Sequence, residues 1–185
     1  MPTARHLNPS LTAFIERQPM FFVATAASDG RVNLSPKGLE TLQVKSSERI
    51  VWLNLTGSGN ETAAHVRAHP RMTLMFCAFE GPAKILRVYG TARVVHPSNI
   101  AWSALADEFP KMPGTRQIFD LDIDLVQTSC GTGVPVMTPV KQRGPDELLP
   151  FYAEMGPEGV RDYWQRTNRL SLDGVETGIE TRNNA

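Results

Sequence analysis

The chain has 185 residues, of which 41% are apolar and 21% charged, a composition typical of a folded globular protein rather than a disordered one. Its formal net charge is zero, which argues against a general nucleic-acid binder, and no apolar run approaches the ~18 residues of a membrane span. Two cysteines far apart favour a reducing compartment and no signal peptide is visible, so we expect a cytoplasmic protein. We expect one domain over residues 1–185, helical from about 145, with a mobile tail at 176–185.

The first part of the chain predicts a helix followed by antiparallel strands. Residues 8–17 are typical of a short amphipathic helix capped by Ser10. A buried strand is predicted over 20–26, and Asp29-Gly30 indicates a two-residue hairpin that returns the chain over 31–35. Further strands are predicted over residues 39–44 and 48–55.

The returning strand is expected to break at Pro36-Lys37-Gly38, because proline cannot donate to the sheet and glycine permits bending. Lys37 comes directly after this proline and close to Ser35. A lysine at a strand break is a place to bind an anion. The alternative is a solvated turn lysine.

A glycine-rich turn over residues 57–60 and a short helix ending before Pro70 separate two apolar runs. Asn60 is a good N-cap residue for this helix. The first N–H groups of such a helix lack internal partners and carry partial positive charge, so a phosphate can bind there. Glu61 opposes this interpretation, because a carboxylate in the first turn already satisfies the helix dipole. An ordinary cap is the alternative.

The second half predicts long strands and further helices. Strands are predicted over 72–79 and 84–95, and Gly90 indicates a bulge or a close backbone approach. A helix is expected from His96, with its apolar stripe formed by Ile100, Ala101, Leu105 and Phe109.

The strand over residues 115–126 shows the clearest alternation in the chain. A glycine-rich loop over 128–135 and two short helices over 145–155 and 157–166 follow. Antiparallel neighbours dominate, which favours a mainly β fold: a closed or split antiparallel barrel with peripheral helices. In the alternating strand we expect Phe119, Leu121, Ile123 and Leu125 to face inward and Asp120, Asp122 and Asp124 to face solvent.

Few side chains indicate chemistry by spacing alone. His65 and His69 lie four apart on the predicted helix, but no third ligand accompanies them, so we predict no metal site. Cys77 lies in an apolar strand and is expected in the core. Cys130 lies in the glycine-rich loop, where it could be exposed enough to react.

Five motifs together resemble the pyridoxamine 5′-phosphate oxidase-related FMN-binding proteins. They are Asn-Leu-Ser-Pro-Lys-Gly at residues 33–38, the turn and helix at 57–65, Leu-Arg-Val-Tyr-Gly at 86–90, the loop at 128–135 and the Tyr163–Gly174 region. The resemblance runs from about Leu11 to Gly174. It implies the FMN-binding split β-barrel and a homodimer with FMN in grooves at the subunit interface.

The resemblance also implies roles for individual residues. Asn33, Ser35 and Lys37 would meet the flavin ring edge or phosphate, and Thr56 would line the groove. Arg87 stands where the oxidases carry a flavin-contacting glutamine and would hold the N1/O2 edge of the ring. Ser129 and Cys130 would lie above the flavin, and in one version of this hypothesis they come from the partner subunit. Cys130 is a candidate catalytic residue. The place of the phosphate-binding Ser-Arg-Lys of the oxidases is taken by Asn60, Glu61 and Thr62.

Two further oxidase motifs, Arg-Leu-His-Asp-Arg and Arg-Leu-x-Pro, are missing from the chain, which argues against oxidation of pyridoxamine phosphate. The first hypothesis is therefore an FMN-dependent oxidoreductase acting on an unidentified small molecule. The second is a non-catalytic flavin store or sensor. The third is a deazaflavin- or haem-binding member of the same fold, with His65 or His69 as the haem ligand.

Overall fold

Eight antiparallel strands form one sheet in the computed structural model, which describes residues 2–179. The strands are β1 (Thr3–Ala4), β2 (Phe21–Thr25), β3 (Asn33–Lys37), β4 (Leu42–Ser46), β5 (Arg49–Leu55), β6 (Arg71–Cys77), β7 (Ile85–Val95) and β8 (Thr115–Ser129). The helices are α1 (Pro9–Glu16), α2 (Glu61–Ala68), α3 (Trp102–Ala106) and α4 (Leu149–Thr167), with a π-helical turn (Gly144–Leu148) directly before α4.

The sheet runs in the order β3-β2-β6-β7-β8-β5-β4, with β1 added against β8. All pairings are antiparallel, and no pairing among residues 2–179 joins β3 to β4. The sheet is therefore a barrel that stays open between these two strands. This confirms the predicted mainly β split barrel with helices at its periphery.

The main core is built around stacked aromatic rings. Trp52 and Phe119 stack with centroids 4.5 Å apart, and Phe21 meets the edge of Trp52 at 5.9 Å. Helix α1 closes one side of this core with Leu11, Phe14 and Ile15. Its cap is Asn8 rather than the predicted Ser10, since Asn8 Oδ1 accepts from Leu11 N at 2.9 Å.

The hairpin between β2 and β3 differs from the prediction. Thr25 pairs with Asn33, so the connection is longer than the two residues that Asp29-Gly30 indicated. Strand β3 also runs through Pro36, which pairs with Phe22. A proline is tolerated here because β3 is the edge strand and its outer N–H positions need no partner.

Residues 39–41 form a turn rather than the start of β4. Leu39 and Glu40 have φ angles of 67° and 54°, in the left-handed region that side chains disfavour. Such residues cost about 1–2 kcal/mol each. The surrounding structure therefore holds this turn in place.

Strand β8 departs from simple alternation. A bulge shifts its register where Tyr89 pairs with Leu125 but Gly90 pairs with Ile123, so Leu125 is 38% exposed rather than buried. Asp120 is buried rather than exposed, because Arg49 and Arg93 both bind its carboxylate. These two guanidiniums hold the pKa of Asp120 below its usual range against the opposing effect of burial.

The helical predictions are confirmed only in part. Helix α3 is a single turn and Ile100 is fully exposed, so only Leu105 and Phe109 of the predicted stripe are buried. The predicted boundary between two C-terminal helices is confirmed at Gly156, whose φ of 70° interrupts α4. Thr177 and Ile179 of the predicted mobile tail are buried, and residues 180–185 lie outside the described residues.

Within residues 2–179, no helix combines the length and hydrophobicity needed to cross a membrane.

Candidate functional site

A cavity of about 900 Å³ lies between β3, the end of β5, the 56–60 turn, the start of α2 and the chain after α4. We call it the β3 groove. Its walls bring together seven residues predicted from the sequence to bind the cofactor, which are Asn33, Ser35, Lys37, Thr56, Asn60, Glu61 and Thr62. The volume is within the range of cavities that hold cofactor-sized molecules.

The polar side chains of β3 point into this groove at alternate positions, as strand geometry requires. Ser35 Oγ donates to Asn33 Oδ1 at 2.9 Å, and Asn33 Nδ2 donates to Thr62 Oγ1 at 3.1 Å. Behind them, Thr25 Oγ1 and His65 Nδ1 share a hydrogen bond of 3.2 Å. These contacts orient amide and hydroxyl groups along one wall before any ligand binds.

Lys37 ends this row of polar side chains. Its Nζ donates to Asn54 Oδ1 at 3.0 Å and lies 5.6 Å from the centroid of the Trp52 ring. Burial and the positive charge of Arg116 lower the pKa of Lys37 to about 8. Among residues 2–179 no carboxylate lies within ion-pair distance of Lys37.

Arg116, which sequence reasoning missed, is a second cation in the same cavity. Only 2% of it is exposed, and Nη1 donates to Gly59 O at 3.0 Å and to Asn168 Oδ1 at 2.7 Å. Burial lowers the pKa of Arg116 to about 10. Its Nε finds no hydrogen-bond partner within the described part of the chain, and no carboxylate there pairs with it. Its neighbours Thr115 and Gln117 are also polar, so no local pattern marked Arg116 as part of the site.

The start of α2 is arranged differently from the prediction. Asn60 makes no side-chain cap; it accepts from Gln117 Nε2 at 2.6 Å and donates to Asn168 O at 3.3 Å. The Glu61 carboxylate accepts from Leu172 N at 3.0 Å, and so binds the chain that follows α4. The Asn60 side chain therefore leaves the first N–H groups of α2 uncapped at the edge of the groove.

Thr56 holds α4 against the groove. Its hydroxyl donates to Gly114 O at 2.7 Å and accepts from Trp164 Nε1 at 2.8 Å, while its carbonyl accepts from Tyr152 Oη at 2.8 Å. Tyr152 and Trp164 lie on opposite sides of the break at Gly156. Thr56 thus lies in the predicted wall, but its polar atoms are already bound within the protein.

The chain after α4 closes the far side of the groove through Leu170, Ser171 and Leu172. Asp173 accepts from Arg31 N at 2.7 Å and forms an ion pair with the Arg31 guanidinium. The hydrogen bond from Arg31 N lowers the pKa of Asp173. This segment belongs to the Tyr163–Gly174 motif of the family resemblance, but none of its residues was predicted to bind the cofactor.

The remaining predicted residues lie elsewhere. Arg87 Nη1 donates to Ser129 Oγ at 3.0 Å, and neither residue, nor Cys130, lines the β3 groove. Cys130 is exposed, and its hydrogen bond with Thr132 lowers the pKa of the thiol. Cys77 is buried as predicted, and burial raises its pKa. Within one chain, the residues predicted to bind the cofactor therefore form two separate groups, one in the β3 groove and one around Arg87.

Metal ligation was predicted to be absent. His65 is buried at the groove and shares a hydrogen bond with Thr25. Residues 2–179 contain no group of three or more His, Cys, Asp or Glu side chains arranged to hold an ion.

Comparison with known proteins shows the family to which this chain belongs. The sequence profile described as "Pyridoxamine 5'-phosphate oxidase" matches residues 7–130, which include β3, α2 and Arg116. The chain belongs to the pyridoxamine 5′-phosphate oxidase family. Within this family it is 32% identical over 185 residues to the pyridoxamine 5′-phosphate oxidase family protein ustO of Aspergillus flavus, an alignment that covers 91% of this chain and 74% of ustO.

Solved structures show the same fold at low identity. A histidine-to-alanine variant of HupZ from Group A Streptococcus aligns with a TM-score of 0.55 and 16% identity, covering 66% of this chain and 98% of HupZ. A candidate pyridoxamine 5′-phosphate oxidase of Lactobacillus delbrueckii aligns with a TM-score of 0.52 and 19% identity, over 67% of this chain and 99% of its own. These likenesses support the split-barrel fold of this family member.

Proposed function

We propose that this pyridoxamine 5′-phosphate oxidase family protein binds FMN in the β3 groove and is an oxidoreductase acting on a small molecule. The observation that carries the proposal is the pair of cations, Lys37 and Arg116, that face one cavity without a carboxylate partner among the described residues. A buried charge without a counter-ion is costly. A phosphorylated ligand would supply the missing negative charge.

Arg116 is the residue that fits the cofactor phosphate. It lies beside Gly59 at the start of α2, where uncapped backbone N–H groups and the helix dipole also favour an anion. Its free Nε offers a further donor. Arg116 would thereby replace the cations that the oxidases carry at the positions of Glu61 and Thr62.

The polar row on β3 fits the ring system of the cofactor. Asn33, Ser35 and Lys37 present amide, hydroxyl and ammonium groups along one wall. When bound, FMN would supply transfer of electrons or hydride. The protein's own residues would hold the ring edge, orient it and place the Lys37 charge beside it.

We also propose that the protein works as a homodimer. Four large apolar side chains around the mouth of the groove are exposed, at 73% for Val32, 63% for Leu34, 53% for Leu170 and 73% for Leu172. A cluster of this kind at a cavity mouth is typical of a protein interface. Arg87, Ser129 and Cys130 lie outside the groove of their own chain, and a second copy would account for their part in the site by supplying them.

Leu34→Glu tests the proposed dimer. Sedimentation should show a shift from dimer to monomer in this variant.

The first experiment is to purify the protein, record its visible spectrum and identify any released chromophore by mass spectrometry. A yellow protein that releases about one FMN per chain supports the proposal. A colourless protein that does not take up added FMN contradicts it. A Soret band after haem addition, lost in His65→Ala, would instead favour haem, and a released deazaflavin would favour that cofactor.

A second measurement separates an enzyme from a flavin store. Stopped-flow absorbance follows reduction of the bound flavin by NADH or NADPH, and then its reoxidation by an added acceptor. Repeated turnover supports the oxidoreductase. A protein that binds and releases flavin, but whose bound flavin is not reduced by NADH or NADPH, supports a flavin store.

A further inference from the structure

A second cavity, of about 860 Å³, adjoins the β3 groove. We call it the apolar cavity. We propose that it is the substrate site of the flavoprotein. The substrate would be an organic anion with an apolar body about the size of an aromatic ring system and a charged group that contacts Lys37. This inference rests on the proposed function. The walls are formed mainly by Met20, Leu39, Phe79, Met137, Leu148 and Phe151.

The two cavities share part of their walls. Pro36, Lys37, Gly38, Leu39 and Leu148 line both. A substrate must lie against the flavin to exchange a hydride with it, so the site of such a substrate must open into the cofactor site. A molecule in the apolar cavity and one in the β3 groove would meet at this shared wall.

The walls of the apolar cavity match an apolar molecule. Met137 is 46% exposed and Phe151 is 52% exposed, although both are large hydrophobic side chains. Apolar surface of this kind is removed from water when an apolar ligand binds, which is a favourable change. The segment that carries Met137 and Phe151 lies beyond residue 130, outside the region matched by the family profile. Substrate choice would therefore depend in part on residues beyond the region that the profile matches.

The charges around the apolar cavity favour an anion. Lys141 and Glu147 both line it and form an ion pair of 3.1 Å, and Lys141 also lies 3.6 Å from Asp146, so this cluster of one cation and two carboxylates carries a net charge of −1. Lys37 and Arg143 remain, and neither has an ion-pair partner among residues 2–179. Together with Lys37 and Arg143, three cations then stand against two carboxylates, which leaves a net charge of +1 around the cavity.

A close contact between a side chain and a glycine shapes one wall of this cavity. Leu39 keeps a φ of 67° and presses its side chain against Gly144, where an added Cβ would lie 1.9 Å from Leu39 Cδ2. Only a glycine fits at position 144 without displacing Leu39. The shared wall thus includes a tight contact between Leu39 and Gly144.

The test uses anilinonaphthalene sulfonate (ANS), an aromatic anion, titrated into the flavin-loaded protein by calorimetry, with flavin absorbance recorded in parallel. We expect about one ANS per chain and a perturbed flavin spectrum, since the two ligands would touch. Phe151→Glu should weaken ANS binding about tenfold or more without loss of flavin. Ile100→Glu is the matched control, because Ile100 is equally apolar, fully exposed and lines neither cavity, and it should bind ANS normally.

The charge of the ligand is tested with phenylnaphthylamine, the uncharged counterpart of ANS. It should bind more weakly to the wild-type protein, and Lys37→Met should abolish this preference for the anion. Unchanged ANS binding in Phe151→Glu, or ANS binding without any flavin perturbation, would overturn the proposal. Altered sedimentation of Phe151→Glu with normal ANS binding would assign this face to subunit contact and overturn it too.

Failure of the proposed function gives a different result. A protein that takes up no FMN would contradict the cofactor assignment, whatever ANS does. ANS binding to that flavin-free protein, sensitive to Phe151→Glu, would keep the cavity as a ligand site but overturn its assignment to the substrate of a flavin reaction.

Discussion

The Arg116 guanidinium donates to Asn168 Oδ1 at 2.7 Å, so a buried cation on β8 is bound to the residue that ends α4. Asn168 also donates to Gly57 O at 2.9 Å, on the turn that leads to α2. The two residues therefore join three parts of the groove wall that are distant in sequence. Because Asn168 is a neutral amide, it orients Arg116 without cancelling its charge.

Replacing Arg116 by methionine should weaken FMN binding about tenfold or more. A hydrogen bond to a charged group contributes about 1.5–3 kcal/mol, and here it would join the phosphate to a desolvated guanidinium. The measurement is a fluorescence titration of flavin-free protein with FMN. Arg116→Lys should retain part of the affinity, because lysine keeps the positive charge but lacks the planar guanidinium that donates two parallel hydrogen bonds.

Arg161→Met is the matched control, since Arg161 is an exposed arginine on α4. It should leave FMN affinity unchanged. Thermal unfolding of each variant shows whether the fold persists. Equal FMN affinity in Arg116→Met and the wild type would place the phosphate away from Arg116.

FMN affinity should fall as the pH rises above about 8. The pKa of Lys37 is lowered to about 8 by burial and by Arg116, so above this value the free protein has lost the Lys37 charge. Binding an anion would then require proton uptake, and the affinity falls by up to about tenfold per pH unit. The cofactor phosphate does not add to this change, because it is already doubly charged above about pH 7.

Titrations between about pH 7 and 9 check this dependence. In Lys37→Met the fall should disappear, while the affinity at pH 7 should already be reduced. A fall of the same size in the variant would assign the titration to another group.

Gly90→Ala should destabilise the protein by about 3 kcal/mol or more. An added Cβ at this position would lie 2.0 Å from Asp122 O, a backbone atom at the β7–β8 bulge that cannot move aside cheaply. Urea denaturation measures the change. Gly133→Ala is the control, because nothing lies within 4 Å of its added Cβ, and it should alter stability by less than about 0.5 kcal/mol.

Asp173→Asn should loosen the chain that closes the groove. The substitution removes the ion pair with Arg31 and weakens the bond from Arg31 N. We expect faster amide hydrogen exchange across residues 168–179 and faster FMN release, with no change in the strands of the core. Since the pKa of Asp173 is lowered in the folded protein, the wild type should show the same loosening as the pH falls through that pKa. Exchange in Asp173→Asn that matches the wild type at neutral pH would contradict this role.

Short motifs indicated much of the groove. The family resemblance assigned Asn33, Ser35 and Lys37 to the cofactor site, and all three line the β3 groove, although β3 continues through the strand break predicted at Pro36. The turn at 57–60 and the short helix that follows it were also predicted correctly, because they are consecutive in sequence, but the side-chain cap predicted for Asn60 is wrong. The succession of strands along the chain and the break at Gly156 followed from similarly local signals.

Contacts between distant segments were not predictable in this way. Arg116 reaches the groove only because β5 and β8 pair, with Gln117 opposite Asn54, and no local pattern specifies that register. Asp120 was assigned to solvent because its two arginine partners lie on other strands. Leu125 was assigned to the core because a bulge one residue away reverses the alternation.

The groove is closed by β3 on one side and by Leu170, Ser171 and Leu172 on the other, near opposite ends of the described chain. During synthesis, a ribosome-bound chain that stops at Ser129 already contains every strand of the sheet but lacks that second wall. Its Arg116 also lacks the Asn168 partner. If the groove binds FMN as proposed, a chain that stops before Leu172 should therefore emerge without flavin.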